Sequence, residues 1–208
     1  MGAKIIGNVE VRELAVRHAW QFTSPRHTDD RGVLVEAFKS DAVTQAVGHT
    51  LQVAQANCSV SRYGVLRGIH GAAVPPGQAK YVSCLRGAVL DVVVDVRTGS
   101  PTFGCHDTIR LDDTDRQAVY VAEGLGHGFL ALTDGAVVHY LSSAPYTPQL
   151  EFAIDPFDDE LAIRWPREVE PALSPRDAAA PGLREARDAG LLPSYDQCLA
   201  HYDRLSDQ

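Results

Sequence analysis

Arg67, His70 and Lys80 lie close together in the stretch GVLRGIHGAAVPPGQAKY, and all three side chains could do chemistry. A histidine titrates near neutral pH and can take up or return a proton, whereas lysine and arginine stabilise negative charge. Apolar residues precede His70, a proline-rich loop follows it, and Lys80 begins another β-like run. The pattern predicts a β-hairpin with His70 and Lys80 at its facing ends. A histidine and a lysine beside a loop are also common on ordinary surfaces, so this stretch does not establish a site by itself.

The composition predicts one globular domain over residues 1–208. The chain has 208 residues, of which 45% are hydrophobic, and this is enough to bury a sizeable core. Its formal charge of −8 argues against nucleic-acid or anionic-membrane binding, because both need a basic face. A small anionic ligand remains compatible with this charge. The sequence shows neither a signal-peptide pattern nor a long apolar run, which predicts a cytoplasmic protein without a membrane partner.

The sequence lacks the patterns that are typical of metal sites, nicotinamide-binding sites and P-loops. The cysteines have neither C-x-x-C spacing nor the spacing of a zinc site, and they are predicted to be reduced thiols. His70 is followed by Gly71 and Ala72, so the H-x-H expected of a β-barrel metal oxygenase is missing. The segment GLGHGF has Phe129 where the dinucleotide-binding motif needs its third glycine. The sequence therefore predicts a site without metal.

Short runs of alternating polar and apolar residues fill most of the chain. About ten such runs are separated by turn residues, which is the pattern of an all-β sandwich or barrel. Helical patterns are confined to one or two turns at Asp41–Val47 and to the C-terminal part, where LSPRDAAAP opens a helix. Barrels of this kind can enclose a ligand that is lined by alternate residues of several strands.

Parity along two of the predicted strands places polar side chains on particular faces. Gln55 and Asn57 share a face, and they become substrate contacts if that face lines a cavity. Tyr140 shares a face with Val138, whereas His139 lies on the opposite face. One of these two polar side chains is predicted to point inward.

The run AVLDVVVDV has the most regular alternation in the chain. Asp91, Val93 and Asp95 share one face, and Leu90, Val92 and Val94 share the other. We expect one of the two faces to lie in the core.

Together these segments resemble the dTDP-4-dehydrorhamnose 3,5-epimerase family, from about Arg12 to Tyr195. The matching stretches are TDDRGVLVEAF, NCSVSRYGVLRGIH, PPGQAKYVSCLRGAVLDVVVDVRTGSPTFG, EGLGHGFLAL, HYLSSAPYTPQLE, IRWP and LSPRDAAAP. The resemblance implies an all-β, cupin-type jelly-roll barrel with short C-terminal helices. It places the barrel core at about residues 50–142 and the helical segment at about 174–205. It also implies an epimerase that uses neither metal nor organic cofactor.

The resemblance assigns catalytic roles to four positions and a substrate-binding role to a fifth, His127. His70 matches the general base, and Asp177 matches the carboxylate that orients it. Tyr140 matches the acid that returns a proton on the opposite face of the sugar, and Lys80 matches the cation beside the enolate. His127 resembles a second active-site histidine near the sugar carbonyl. Inversion next to a ketone needs a base, an acid and a partner for the oxyanion, and these residues supply them. The pairing of His70 with Asp177 requires the C-terminal segment to fold back over the barrel mouth.

The other matched positions surround the substrate, which the resemblance identifies as a dTDP-linked 4-keto-6-deoxyhexose. Arg31 and Arg67 match residues that hold the diphosphate. The remaining matched contacts are Glu36, Gln55, Asn57, Tyr146 and Glu151. Relatives are homodimers with exchanged N-terminal strands, so Arg31 and Glu36 are expected to serve the neighbouring subunit's site.

The resemblance leaves the product open. Many relatives have an aromatic residue after the catalytic histidine and at the position of Leu34, whereas this chain has Gly71 and Ala72 after His70. We expect both differences to reshape the sugar pocket, and some relatives in antibiotic deoxysugar pathways invert only C3. The alternatives to an epimerase are a keto-isomerase on the same barrel, a non-catalytic nucleotide-sugar-binding barrel, and a metal oxygenase without its usual ligand set.

Overall fold

The structure is a computed structural model that describes residues 2–207. In chain order its strands are β1 (Lys4–Ile6), β2 (Val9–Glu13), β3 (Ala19–Thr23), β4 (Arg26–Asp29), β5 (Gly32–Val35), β6 (Gln55–Ser61), β7 (Leu66–Ala72), β8 (Lys80–Arg86), β9 (Ala88–Val94), β10 (His106–Asp112), β11 (Ala118–Val121), β12 (Gly126–Ala131), β13 (Ala136–Ser142) and β14 (Glu151–Ala153). Its helices are α1 (Ser40–Val47), α2 (Pro175–Ala178), α3 (Leu183–Asp188) and α4 (Tyr195–Ser206). None of the helices within residues 2–207 is both long and apolar enough to cross a membrane.

Two antiparallel sheets pack against each other. The seven-stranded sheet has the order β1-β2-β3-β11-β8-β13-β6, and the five-stranded sheet has the order β10-β9-β12-β7-β14. Val82 and Val121 of the first sheet share a buried cluster with Val89, Val93 and Phe129 of the second. The predicted all-β architecture with short C-terminal helices is confirmed. The sheets also include strands on both sides of residues 50–142, since β1, β2 and β3 precede this range and β14 follows it.

The segment with His70 and Lys80 does not form the predicted hairpin. β7 pairs with β12 and β14 in the five-stranded sheet, whereas β8 pairs with β11 and β13 in the seven-stranded sheet. The connection contains Pro75 and Pro76, which lack the N–H groups that a β-ladder would use. It therefore crosses from one sheet to the other, and His70 and Lys80 lie on facing sheets.

Strand β9 is buried on both faces, although only one face was expected in the core. Val93 packs between the sheets, together with the fully buried Asp91. On the opposite face, Val92 and Val94 share a second cluster with residues of the C-terminal segment such as Leu183. Both faces of β9 are thus buried. The other sheet covers one face, and residues after β14 fold back over the other, which is the outer face of the five-stranded sheet.

A third, small sheet consists of the hairpin β4–β5. Every residue of β4 is exposed, and so are the first residues of β5. The hairpin presents two large apolar side chains to solvent, Val33 and Leu34, which are 48% and 69% exposed. This part of the chain lies outside the barrel core.

Candidate active site

A cleft lies between the facing sheets and is closed on one side by α2. It consists of two adjoining cavities of about 340 and 350 Å³, which share His70, Lys80, Tyr140 and Arg176. The first is lined also by Ser59, Val65, Leu66, Arg67, His127, Phe129, Ser174 and Asp177. The second is lined also by Gln55, Asn57, Gln78, Tyr146 and Glu151. Each volume is in the range of small-molecule sites.

Asp177 reaches His70 because the C-terminal segment folds back over the barrel mouth, as predicted. The distance between His70 Nε2 and Asp177 Oδ1 is 2.6 Å, and Asp177 is 4% exposed. The segment is attached to the barrel where the Leu66 N–H donates to the Ala172 carbonyl at 2.9 Å. Helix α2 is then capped by Ser174, whose hydroxyl accepts the Asp177 N–H at 3.1 Å. This cap orients the short helix so that the Asp177 carboxylate meets the imidazole.

Burial holds the pKa of His70 below its ordinary value of 6.5, although Asp177 raises it in part. The cations Lys80 and Arg176 act in the same direction as burial. The imidazole is therefore neutral at pH 7, and a neutral ring that donates from Nε2 to Asp177 has an unprotonated Nδ1. This nitrogen can accept a proton.

Lys80 and Tyr140 come from the seven-stranded sheet and face the two histidines. Lys80 pairs with Ser142 on β13, two residues beyond Tyr140, so both side chains lie on the same face of the sheet. Burial raises the pKa of Tyr140 above 10.0, with Glu151 adding to this effect, so the phenol keeps its proton at neutral pH. Burial lowers the pKa of Lys80, whereas the carboxylates of Glu151 and Asp91 favour its charged form.

Asp91 is a site residue that the sequence did not reveal. It is fully buried, and its Oδ2 lies 2.8 Å from His127 Nε2. His127 in turn is the cross-strand neighbour of His70 on β7. The sequence did contain a sign of this role, because Asp91 stands in the middle of an otherwise apolar strand. A carboxylate that is buried there needs a hydrogen-bonding partner. Parity placed it on a face but could not name that partner.

Arg176 is a second residue that the sequence did not single out, although it lies next to Asp177 in LSPRDAAAP. Its Nη1 donates to the Tyr146 hydroxyl at 3.4 Å, and its Nη2 lies 4.0 Å from Glu151 Oε2. It lines both cavities of the cleft together with Arg67 in the first. The two guanidinium groups give the cleft local positive charge in an acidic protein.

The predicted amide contacts also line the cleft. Gln55 Nε2 donates to Asn57 Oδ1 at 2.8 Å, as their common parity predicted. Gln55 Oε1 accepts the Tyr146 N–H at 2.9 Å. Arg67 Nε donates to the Ser61 hydroxyl at 3.1 Å, which anchors its side chain at the other end of the cleft.

Arg31 and Glu36 do not line this cleft. Arg31 lies in the turn of the exposed hairpin and pairs with Asp29. Glu36 follows the hairpin and accepts a hydrogen bond from Asn8 at 3.0 Å, with Lys39 at 3.4 Å. Within one chain, the structure does not bring these residues to His70.

Gly71 does not reshape the cleft, contrary to expectation. A Cβ at this position would lie 2.2 Å from Cζ of Phe152, so the glycine makes room for that ring on the face opposite His70. Leu34 lies on the exposed hairpin and also does not line the cleft of its own chain.

The chain is similar to known proteins over nearly its whole length. The model of a family described as dTDP-4-dehydrorhamnose 3,5-epimerase matches residues 13–185. The dTDP-4-dehydrorhamnose 3,5-epimerase of Mycolicibacterium smegmatis is 54% identical over 194 residues, which is 93% of this chain and 96% of the relative. The dTDP-4-dehydrorhamnose 3-epimerase of Streptomyces niveus is 54% identical over 192 residues, which is 92% of each protein.

A solved structure has the same fold. The 3'-monoepimerase ChmJ from Streptomyces bikiniensis in complex with dTDP-quinovose has a TM-score of 0.92 and 46% identity, over 94% of this chain and 99% of that one. This similarity confirms the predicted cupin-type fold.

Proposed function

We propose a function from the premise that the chain belongs to the dTDP-4-dehydrorhamnose 3,5-epimerase family. The protein is an isomerase that epimerises a dTDP-4-keto-6-deoxyhexose next to its C4 ketone. One observation of the cleft carries this proposal. A neutral imidazole paired with Asp177 lies on one sheet, and a protonated phenol and the amine of Lys80 lie on the facing sheet. The relatives are named as epimerases, and this argues against a keto-isomerase or a non-catalytic barrel.

The reaction begins with a proton transfer to His70. Its Nδ1 takes the proton from C3, and the C3–H electron pair moves to form the enolate with its negative charge on the C4 oxygen. Asp177 stabilises the imidazolium that results, since the carboxylate accepts the Nε2–H at 2.6 Å. The same carboxylate holds the ring in the tautomer that leaves Nδ1 free.

The enolate oxygen needs positive partners while it is charged. Lys80 supplies an ammonium in a buried cleft, where electrostatic interactions are stronger than in water. His127, held by Asp91, supplies a second polar group on the five-stranded sheet. Loss of one such partner in other enzymes costs about 10²- to 10³-fold in kcat.

Inversion requires the proton to return on the opposite face. Tyr140 lies on the sheet that faces His70, and its raised pKa keeps the phenol protonated until it is used. The phenol gives its proton to C3, and solvent afterwards reprotonates the phenolate while His70 releases its proton. The atoms balance without an oxidant, a reductant or a cofactor.

The diphosphate is the other charged part of the substrate. Arg67 and Arg176 lie in the cleft and are suited to phosphate oxygens, because a guanidinium can donate two parallel hydrogen bonds. Gln55, Asn57 and Tyr146 supply neutral contacts for the nucleotide or sugar.

We also propose a homodimer in which the hairpin β4–β5 reaches the neighbouring subunit. Val33 and Leu34 are exposed on it, and Arg31 lies at its turn, outside the cleft of its own chain. Exposed apolar side chains such as these gain stability when a second copy covers them. We further propose a cytoplasmic location, which the free thiols of Cys84 and Cys198 support.

The test is proton NMR of dTDP-4-keto-6-deoxyglucose with the protein in deuterated water, with the C3 and C5 signals followed separately. Loss of both signals with an L-sugar product identifies a 3,5-epimerase, and loss of the C3 signal alone identifies a 3-epimerase. A protein with His70→Asn is the control, and it is expected to leave both signals intact. If the unaltered protein exchanges neither proton, the proposed function is wrong for this substrate.

A further inference from the structure

We propose that Asp91 is a positioning residue of the active site, which keeps the ammonium of Lys80 charged without touching the substrate. Asp91 is fully buried and lines neither cavity of the cleft. It shares parity on β9 with Val89 and Val93, which pack between the two sheets. Its carboxylate therefore lies behind His127, away from the open side of the cleft. This role rests on the proposed function, because Lys80 acts there as the cation beside the enolate.

The two carboxylate oxygens of Asp91 have different surroundings. Oδ2 lies 2.8 Å from Nε2 of His127. Oδ1 is buried and has no hydrogen-bond partner among residues 2–207. A buried carboxylate is strongly disfavoured unless positive charge lies near it. The single contact with His127 satisfies one oxygen, so the charge of Asp91 acts on its other neighbours through space.

Lys80 is a cation near Asp91 that has no partner of its own. It shares parity on β8 with Val82, which packs between the sheets, so its side chain points towards the five-stranded sheet. Among residues 2–207 Lys80 forms no ion pair. Burial lowers the pKa of Lys80, and the carboxylates of Glu151 and Asp91 oppose this effect. A desolvated ammonium depends on such carboxylates to stay charged at neutral pH.

The carboxylates that line the cleft have other partners. Glu151 lies 4.0 Å from Arg176. Asp177 lies 2.6 Å from His70. The remaining ionisable groups of the lining carry no negative charge at pH 7, and they are Arg67, His127, Tyr140 and Tyr146. Asp91 is thus the carboxylate near this ammonium with an oxygen to spare, and its charge is screened less in the interior than it would be in water.

The experiment is an NMR titration of the full chain with ¹³C-labelled lysine and without substrate. The sequence has three lysines, so Lys4→Arg and Lys39→Arg proteins identify two signals and leave that of Lys80. Lys80 is expected to be charged at pH 7 in the unaltered protein. Asp91→Asn should move its titration to lower pH, because the charged form then loses a carboxylate.

Asp159→Asn is the matched control, since it makes the same chemical change at an exposed residue outside the cleft. It should leave the titration of Lys80 unchanged. The proposal is overturned if Lys80 is neutral at pH 7 in the unaltered protein, or if it titrates alike in the unaltered and Asp91→Asn proteins. The titration needs no substrate, so it tests the effect of Asp91 on Lys80 even if the protein epimerises a different sugar.

Kinetics test the positioning role in a second way. Asp91→Asn should reduce kcat about tenfold or more and change KM less than about twofold, because Asp91 does not contact the substrate. A higher KM with unchanged kcat would contradict this role.

A second variant keeps the test decisive if Asp91→Asn does not fold. Asp91→Val removes the same charge and introduces the residue type of the neighbouring Val89 and Val93. The titration of Lys80 should again move to lower pH. A folded Asp91→Val protein with an unchanged Lys80 titration would also refute the proposal.

Discussion

At the scale of single residues, the two sides of the cleft supply different groups for one inversion. The five-stranded sheet carries the base and the seven-stranded sheet carries the acid. His70 is kept neutral by burial, and Tyr140 is kept protonated by the same physical cause. Desolvation disfavours the charged form of either group, so it creates a base from a histidine and an acid from a tyrosine. The carboxylates of Asp177 and Asp91 lie within hydrogen-bonding distance of Nε2 of His70 and of His127, respectively, and so fix the orientation of the two rings.

Tyr140→Phe should separate proton removal from inversion. His70 can still take the C3 proton in this variant, so exchange with deuterated solvent continues, whereas the inverted product forms about 10²-fold or more slowly. NMR measures both rates in one sample. Unchanged inversion would show that Tyr140 is not the acid and would reopen the keto-isomerase alternative.

Asp177→Asn should change both the rate and the pH profile. Since Asp177 raises the pKa of His70, its removal lowers that pKa further, and the acidic limb of kcat/KM should move to lower pH. The lost orientation and imidazolium stabilisation should also reduce kcat by about 10²- to 10⁴-fold. Asp159→Asn is the matched control, because it makes the same chemical change at an exposed aspartate outside the cleft. An acidic limb that moves to higher pH would contradict the assigned pairing.

At the scale of elements, the close approach of β7 and β12 brings His70 beside His127. Two glycines make it possible: a Cβ at Gly68 would lie 2.5 Å from the Cα of Gly128. Gly68 also has a φ of 117°, a conformation that other residues rarely adopt. The close packing of β7 against β12 therefore depends on two glycines that take no part in the reaction.

Gly68→Ala should destabilise the protein more than a glycine substitution in open space. Gly135→Ala is the matched control, since Gly135 also has positive φ but has no atom within 4 Å of the added Cβ. The control should cost about 1 kcal/mol from backbone strain, and Gly68→Ala should cost about 2 kcal/mol more because strand backbones must separate. Urea denaturation measures both free energies of unfolding. Equal costs would show that the strands adapt without strain.

At the scale of the whole molecule, the site is incomplete within one chain if Arg31 binds the diphosphate. The chain carries a net charge of −8, and only local arginines can attract an anionic nucleotide sugar. Arg31 lies on an exposed hairpin, so its proposed role depends on a second copy.

Subunit complementation tests this arrangement. Arg31→Ala and His70→Asn proteins should each have low activity, and a refolded equal mixture should recover about a quarter of the unaltered activity, because half the dimers then hold one intact site. A mixture that stays at the level of the single variants would place Arg31 in its own chain's site or outside any site. Sedimentation of the unaltered protein provides the oligomeric state independently.

The sequence by itself determined the all-β class and the family, because alternation and turn residues are local properties and the motifs span nearly the whole chain. Even the pairing of His70 with Asp177 followed from the resemblance. Only the tertiary structure decided that β7 and β8 belong to facing sheets, since the partners of a strand are distant in sequence. It also decided that Asp91 meets His127, because burial depends on which segments pack over a strand.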